Sequence, residues 1–130
     1  NPTPRVCETY GGMLNAIGLQ NPGIDVFIER DIPYLKQYDT NIIVNVCGKT
    51  PDEYIDVVRR LAEEDVALLE INISCPNVKA GGIAFGQDPK QVEKITAQIK
   101  AVAKQPVIMK LSPLQRWQRQ RKQAEQMQSL

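Results

Sequence analysis

NIIVNVCGKTPDEYIDVVRRL, residues 41–61, holds an apolar run, a tight connection and a helix start in that order. The run from Asn41 to Gly48 is rich in Ile and Val and is bounded by turn residues. It lacks clean alternation, as expected of a strand buried on both faces. Thr50 then stands as N-cap, Pro51 at the first helical position and Glu53 at the third, a well-formed helix start. Tyr54, Val57, Val58 and Leu61 make one apolar stripe at helical spacing.

The same unit recurs downstream. ALLEINIS (Ala67 to Ser74) and PVIMKLS (Pro106 to Ser112) are further apolar runs. Between them a helix is expected from about Pro89 to Lys104, with Asp88 as N-cap and Val92, Ile95, Ile99 and Val102 on one face. A weaker helical pattern covers Gly23 to Gln37, with a break expected near Pro33. Strands joined by crossovers this long must be parallel, with right-handed connections. A doubly wound sheet and a (β/α)8 barrel both fit that order. No GxGxxG follows the first strand, which lowers the dinucleotide-fold reading.

Composition sets the bounds. The 130 residues suit one domain or part of a larger one, and 42% hydrophobic with 24% charged residues is ordinary for a globular chain. A formal charge of +1 argues neither for nor against a nucleic-acid partner, none is expected, and no apolar run reaches the roughly 18 residues of a membrane helix. Three cysteines without CxxC spacing suggest neither a disulfide framework nor a metal site, so a reducing cytoplasm is expected. Histidine is absent, so proton transfer near neutral pH needs another group, and a thiol is the obvious one.

The strand ends locate the chemistry. NVCG carries Asn45, EINISCPN carries Asn72 and IMKLS carries Lys110, each near the C-terminal end of an apolar run. In parallel α/β architectures ligands bind at that edge. One buried Asn often only ties down a loop, and a strand-end lysine often only snorkels. Three such residues in three successive strands are better explained by a common ligand. Two amides and one ammonium suit a planar, polar, partly anionic heterocycle and supply no metal set. Cys75, beside Asn72, Ser74 and Asn77, is the candidate proton acceptor, whereas Cys7 and Cys47 lack such neighbours and read as structural. Two glycine-containing loops flank this set. GGIAFGQDP (Gly81 to Pro89) is a candidate lid, and in LNAIGLQNPG (Leu14 to Gly23) the backbone N–H groups of Gly18 and Leu19 can approach a ligand closely.

Together NPTPRVCET, MLNAIGLQNPG, INISCPNVKAGGIAFGQDP and VIMKLSP closely resemble class 1 dihydroorotate dehydrogenases, and the NAIGLQNPG and long SCPN forms resemble class 1B, the NAD-linked type. The resemblance runs in colinear order over residues 1–113. It implies part of a (β/α)8 TIM barrel, roughly half, lacking N- and C-terminal strands, with FMN at the C-terminal mouth. The implied reaction oxidises (S)-dihydroorotate to orotate in pyrimidine biosynthesis. By matching motifs, Cys75 would be the catalytic base for the C5 proton, and hydride from C6 would pass to the flavin. Asn72 would contact both substrate and FMN, Asn77 the pyrimidine, and Asn15, Ala16, Ile17, Gly18 and Leu19 the substrate. Asn45 and Lys110 would contact FMN, Lys110 facing the negative charge of its reduced form. Class 2 enzymes would be expected to use serine as base and to carry a membrane-associating extension, and Cys75 argues against that class. The resemblance also implies a cytoplasmic homodimer within a heterotetramer. Its electron-transfer subunit would carry FAD and a 2Fe-2S cluster and pass electrons to NAD+. The pyrimidine-reducing domain of dihydropyrimidine dehydrogenase, which shares an SCP loop and a GQDP-like stretch, is the alternative enzyme reading, and a non-catalytic remnant is the reading from another class.

The chain departs from that pattern at both ends. The family's first barrel strands and a substrate lysine would precede NPTPR, and its FMN-phosphate glycine loops would follow KLSP. In their place stands LQRWQRQRKQAEQMQSL, residues 114–130, with six glutamines, four basic residues and one acid. A basic helix or nucleic-acid arm is one reading. With plausible codons, the neighbouring frame yields SEMAKAAEAGGADAVS, an Ala-rich helix with a Gly-Gly stop, so a frameshifted family helix is expected. The chain is thus expected to be an internal fragment, inactive and aggregation-prone by itself.

Overall fold

The computed structural model describes residues 2–75, Gly86 and 88–112. The hairpin β1 (Val6–Thr9) and β2 (Gly12–Asn15) comes first, followed by a helical run and then the alternation β3 (Ile43–Val46), α3 (Pro51–Leu61), β4 (Leu68–Asn72), α4 (Pro89–Lys100) and β5 (Val107–Lys110). The sheet order is β3-β4-β5, with both pairs parallel. This is a mixed α/β arrangement built on a parallel sheet, compatible with part of a barrel. Among the described residues no helix is long and apolar enough to cross a membrane.

Both predicted caps form. Thr50 Oγ1 accepts from the Glu53 N–H at 3.2 Å, and Asp88 Oδ1 accepts from the Lys90 N–H at 3.0 Å. Each satisfies an N–H that the first helical turn leaves without a partner. At the far end of α3 the Gln105 side chain donates to the carbonyls of Leu61 and Glu64 at 2.8 and 2.9 Å. The loop before β5 therefore closes the helix that precedes β4.

The expected stripes meet one face of the sheet. Tyr54, Val58 and Leu61 from α3 and Ile95 and Ile99 from α4 are buried with Val44, Val46, Leu69, Ile71 and Ile73. Val57, Val92 and Val102 pack around them, partly buried. The strands differ from expectation in alternating, with β3 exposed-buried-exposed-buried along its length. Among the described residues, α3 and α4 pack on one face. The other face carries Ile43 and Ile108, both exposed, together with Asn45, Glu70, Asn72 and Lys110 in the matching phase of the pleat.

The weak upstream helix is one continuous run rather than a broken one: α1 (Ile24–Val26), a π-helical segment (Phe27–Asp31) and α2 (Ile32–Leu35). The irregularity lies before Pro33. The Ile32 N–H reaches back to the Phe27 carbonyl, five residues away. Pro33 has no N–H, and its ring would crowd the carbonyl four residues earlier, so widening the preceding turn relieves the clash without ending the helix. Arg60 on α3 pairs with Asp25 and ties this run to the sheet layer.

Candidate active site at the strand ends

Asn45, Asn72 and Lys110 come together. Asn45 is the register partner of Glu70, and Asn72 that of Lys110. The Asn72 amide donates to Asn45 Oδ1 at 3.2 Å, and the Asn45 amide donates to Glu70 Oε1 at 2.5 Å. Lys110 Nζ stands 3.8 Å from the same Glu70 oxygen. Asn72 Oδ1 in turn accepts from both the backbone N–H and the hydroxyl of Ser74, at 3.2 and 2.9 Å. This side-chain-to-backbone turn starts the loop that carries Cys75. Asn72 is buried, at 4% exposure, and its carbonyl accepts from the buried Tyr54 hydroxyl at 2.7 Å.

Sequence reasoning missed Glu70 and Tyr54. Glu70 carried a usable signal: a charge inside an apolar run, two residues before Asn72, must share its face of a strand. Tyr54 carried none, because a tyrosine within an apolar helix stripe reads as core.

Cys75 is half-buried and directly follows Ser74. Cys47 is also half-buried, and its thiol titrates above the ordinary range. Burial is the main cause, followed by the negative charge of Cys75 and then of Glu53. The two thiols thus share one electrostatic neighbourhood at the ends of β3 and β4. Cys7, on β1, is exposed.

Of the predicted Asn15–Leu19 segment, Asn15 closes the hairpin opposite Val6, and the Ala16 N–H extends that ladder to the Arg5 carbonyl at 2.8 Å. Ile17 is exposed. Gly18 and Leu19 are consecutive left-handed residues, with φ of 73° and 61°. The left-handed state disfavours leucine by roughly 1–2 kcal/mol, so surrounding structure must hold it. Asn21 does so in part, donating to the Leu19 carbonyl at 3.2 Å and accepting from the Gly23 N–H at 3.0 Å. Leu19 lines a cavity of about 380 Å³ together with Phe27, Asn45, Val46 and Cys47. The loop and the end of β3 therefore face a common space. Asn77, most of the glycine loop before α4 and residues 114–130 lie outside the described residues. Among the described residues no cluster of His, Cys, Asp or Glu could hold a metal ion.

Parallel strands with polar side chains gathered at their C-terminal ends define an α/β chain, and that edge is where such architectures bind ligands. The chain belongs to the dihydroorotate dehydrogenase family, whose model matches residues 1–129. It is 70% identical over 113 residues to the dihydroorotate dehydrogenase B (NAD(+)) catalytic subunit of Lachnoclostridium phytofermentans, covering 87% of this chain and 38% of that protein. It is 64% identical over 113 residues to the subunit of the same name from Alkaliphilus metalliredigens, covering 87% and 37%. The Exiguobacterium sibiricum counterpart is 56% identical over 114 residues, again covering 87% and 37%. The chain therefore spans under two-fifths of the length of these relatives.

Proposed function

We propose that this chain supplies one wall of an FMN-dependent site that oxidises (S)-dihydroorotate to orotate in pyrimidine biosynthesis, within a cytoplasmic (β/α)8 barrel. The observation that carries this reading is the convergence of Asn45, Asn72 and Lys110 on one sheet face, one short loop from Cys75. The donor set fits a flavin ring. Each asparagine amide has two N–H donors and spends one within the network, leaving the other for a ligand. Lys110, with 44% of its side chain exposed, adds a cation for the charge of the reduced ring.

When bound, FMN supplies the redox chemistry, accepting the hydride that leaves C6 of the substrate. The chain's own residues do the rest. The Cys75 thiolate takes the C5 proton, and the electron pair of that C–H bond becomes the C5–C6 double bond of orotate. Asn72 faces both ligands and fixes the start of the Cys75 loop through Ser74. Asn77 and the backbone of Asn15 to Leu19 hold the pyrimidine and its carboxylate. Electrons then pass to NAD+ through a partner subunit carrying FAD and a 2Fe-2S cluster, in a homodimer-based heterotetramer. Expressed by themselves, the 130 residues leave Ile43 and Ile108 uncovered on an open sheet face, which favours aggregation over turnover.

The test is a full-length chimera in which the matched 113 residues replace their counterparts in the Lachnoclostridium phytofermentans subunit. It is expected to bind FMN and reduce it with dihydroorotate. Cys75→Ser should keep FMN while slowing its reduction about 10²–10⁴-fold at neutral pH, the usual effect of losing a general base. Unchanged reduction would remove Cys75 from that role.

A further inference from the structure

Glu70 is the residue at the centre of the polar face to which nothing so far assigns a role. Its carboxylate meets two of the proposed flavin contacts at once, Asn45 at 2.5 Å and Lys110 at 3.8 Å, through the same oxygen. An ionised carboxylate only accepts hydrogen bonds, so it obliges Asn45 to present its NH2 group. Asn45 Oδ1 must then face Asn72, which presents its own NH2 group there. That leaves Asn72 Oδ1 for Ser74, whose backbone N–H can only donate. The two ends of the chain of bonds demand the same polarity, so neither asparagine can flip without losing partners at both sides. A leucine or isoleucine at this strand position would take away the acceptor that holds the Asn45 amide, leaving Ser74 alone to orient the chain of bonds.

We propose that Glu70 is a positioning residue: it sets the direction of the Asn45–Asn72–Ser74 hydrogen-bond chain and offsets part of the Lys110 charge that faces the flavin. This rests on the proposed FMN site. The carboxylate makes the site less favourable to a reduced, negatively charged ring than Lys110 alone would, so it holds the bound flavin at a lower potential.

The full-length chimera carrying Glu70→Gln tests this. Glutamine keeps the length and one acceptor oxygen but removes the charge. FMN is expected to stay bound at full stoichiometry, with the ratio of affinities for reduced and oxidised flavin rising about tenfold, an upward shift of about 30 mV for a two-electron couple. Glu70→Asp keeps the charge one methylene further back and should move the potential the same way by less. A purely structural role would lower the melting temperature or the flavin content and leave the potential of the bound flavin unmoved. An unchanged potential in flavin-loaded Glu70→Gln overturns the proposal, and if only Glu70→Asp folds, an unchanged potential there does so. Failure of the unsubstituted chimera to bind FMN strikes the proposed site itself, and this inference falls with it.

Discussion

The Tyr54 hydroxyl, projecting from the first turn of α3, donates to the main-chain carbonyl of Asn72 at 2.7 Å inside the core. One helix residue thereby sets the height of the strand end that carries the site. Tyr54→Phe removes the donor and leaves a buried carbonyl unsatisfied, at a cost of about 1–3 kcal/mol. In the chimera it should lower the urea midpoint and weaken FMN binding together. Loss of stability with FMN affinity intact would separate the two.

Gly48 sits against the same tyrosine. A Cβ there would lie 3.0 Å from Tyr54 Cδ2 and 3.1 Å from both the Tyr54 nitrogen and Glu53 Cβ. A backbone atom of a capped helix cannot swing aside, so Gly48→Ala should push the start of α3 away from the sheet, costing about 1–3 kcal/mol. The double variant Gly48→Ala/Tyr54→Phe should lose less than the sum of the two single changes, because both disturb one contact. Strict additivity in urea unfolding would refute that link.

Thr50→Ala removes the cap acceptor for the Glu53 N–H. A loss of about 1 kcal/mol is expected, with Thr50→Ser recovering most of it. Equal stability of the alanine and serine variants would show that the cap contributes nothing measurable.

The Cys47 thiol is pushed upward by burial first, then by the charges of Cys75 and Glu53. The unfolded chain gives up this proton near an ordinary thiol pKa of about 8.5, while the folded chain keeps it to higher pH. The stability tied to Cys47 is therefore fully present below that value and is lost as pH rises through the folded pKa. Iodoacetamide mapping by mass spectrometry should find exposed Cys7 alkylated before Cys47, with the Cys47 rate rising only at more alkaline pH. Cys47 reacting as fast as Cys7 at pH 8 would contradict this.

Periodicity and capping chemistry were enough to place α3, α4 and the parallel strands, because Thr50, Asp88 and the two apolar stripes all point the same way. The hairpin of β1 and β2 has no counterpart in the pattern of the sequence. Its strands are four residues each and exposed along their length, so no burial pattern marks them, and the Gly11–Gly12 pair at the turn was the one available signal. Asn45, Asn72 and Lys110 were legible because polar residues stand out at the ends of apolar runs. Their linkage through Glu70 was not, since it depends on the register that pairs Asn45 with Glu70 and Asn72 with Lys110. A one-residue slip would have sent Glu70 to the opposite face.

The strand order β3-β4-β5 follows the order of the chain itself. During synthesis, each of β4 and β5 emerges to find its neighbour already made, with α3 in the connection between β3 and β4 and α4 in that between β4 and β5. Nascent chain can therefore dock one unit at a time as it leaves the ribosome, and the bonds joining Asn45, Glu70 and Asn72 can close before Lys110 has been translated.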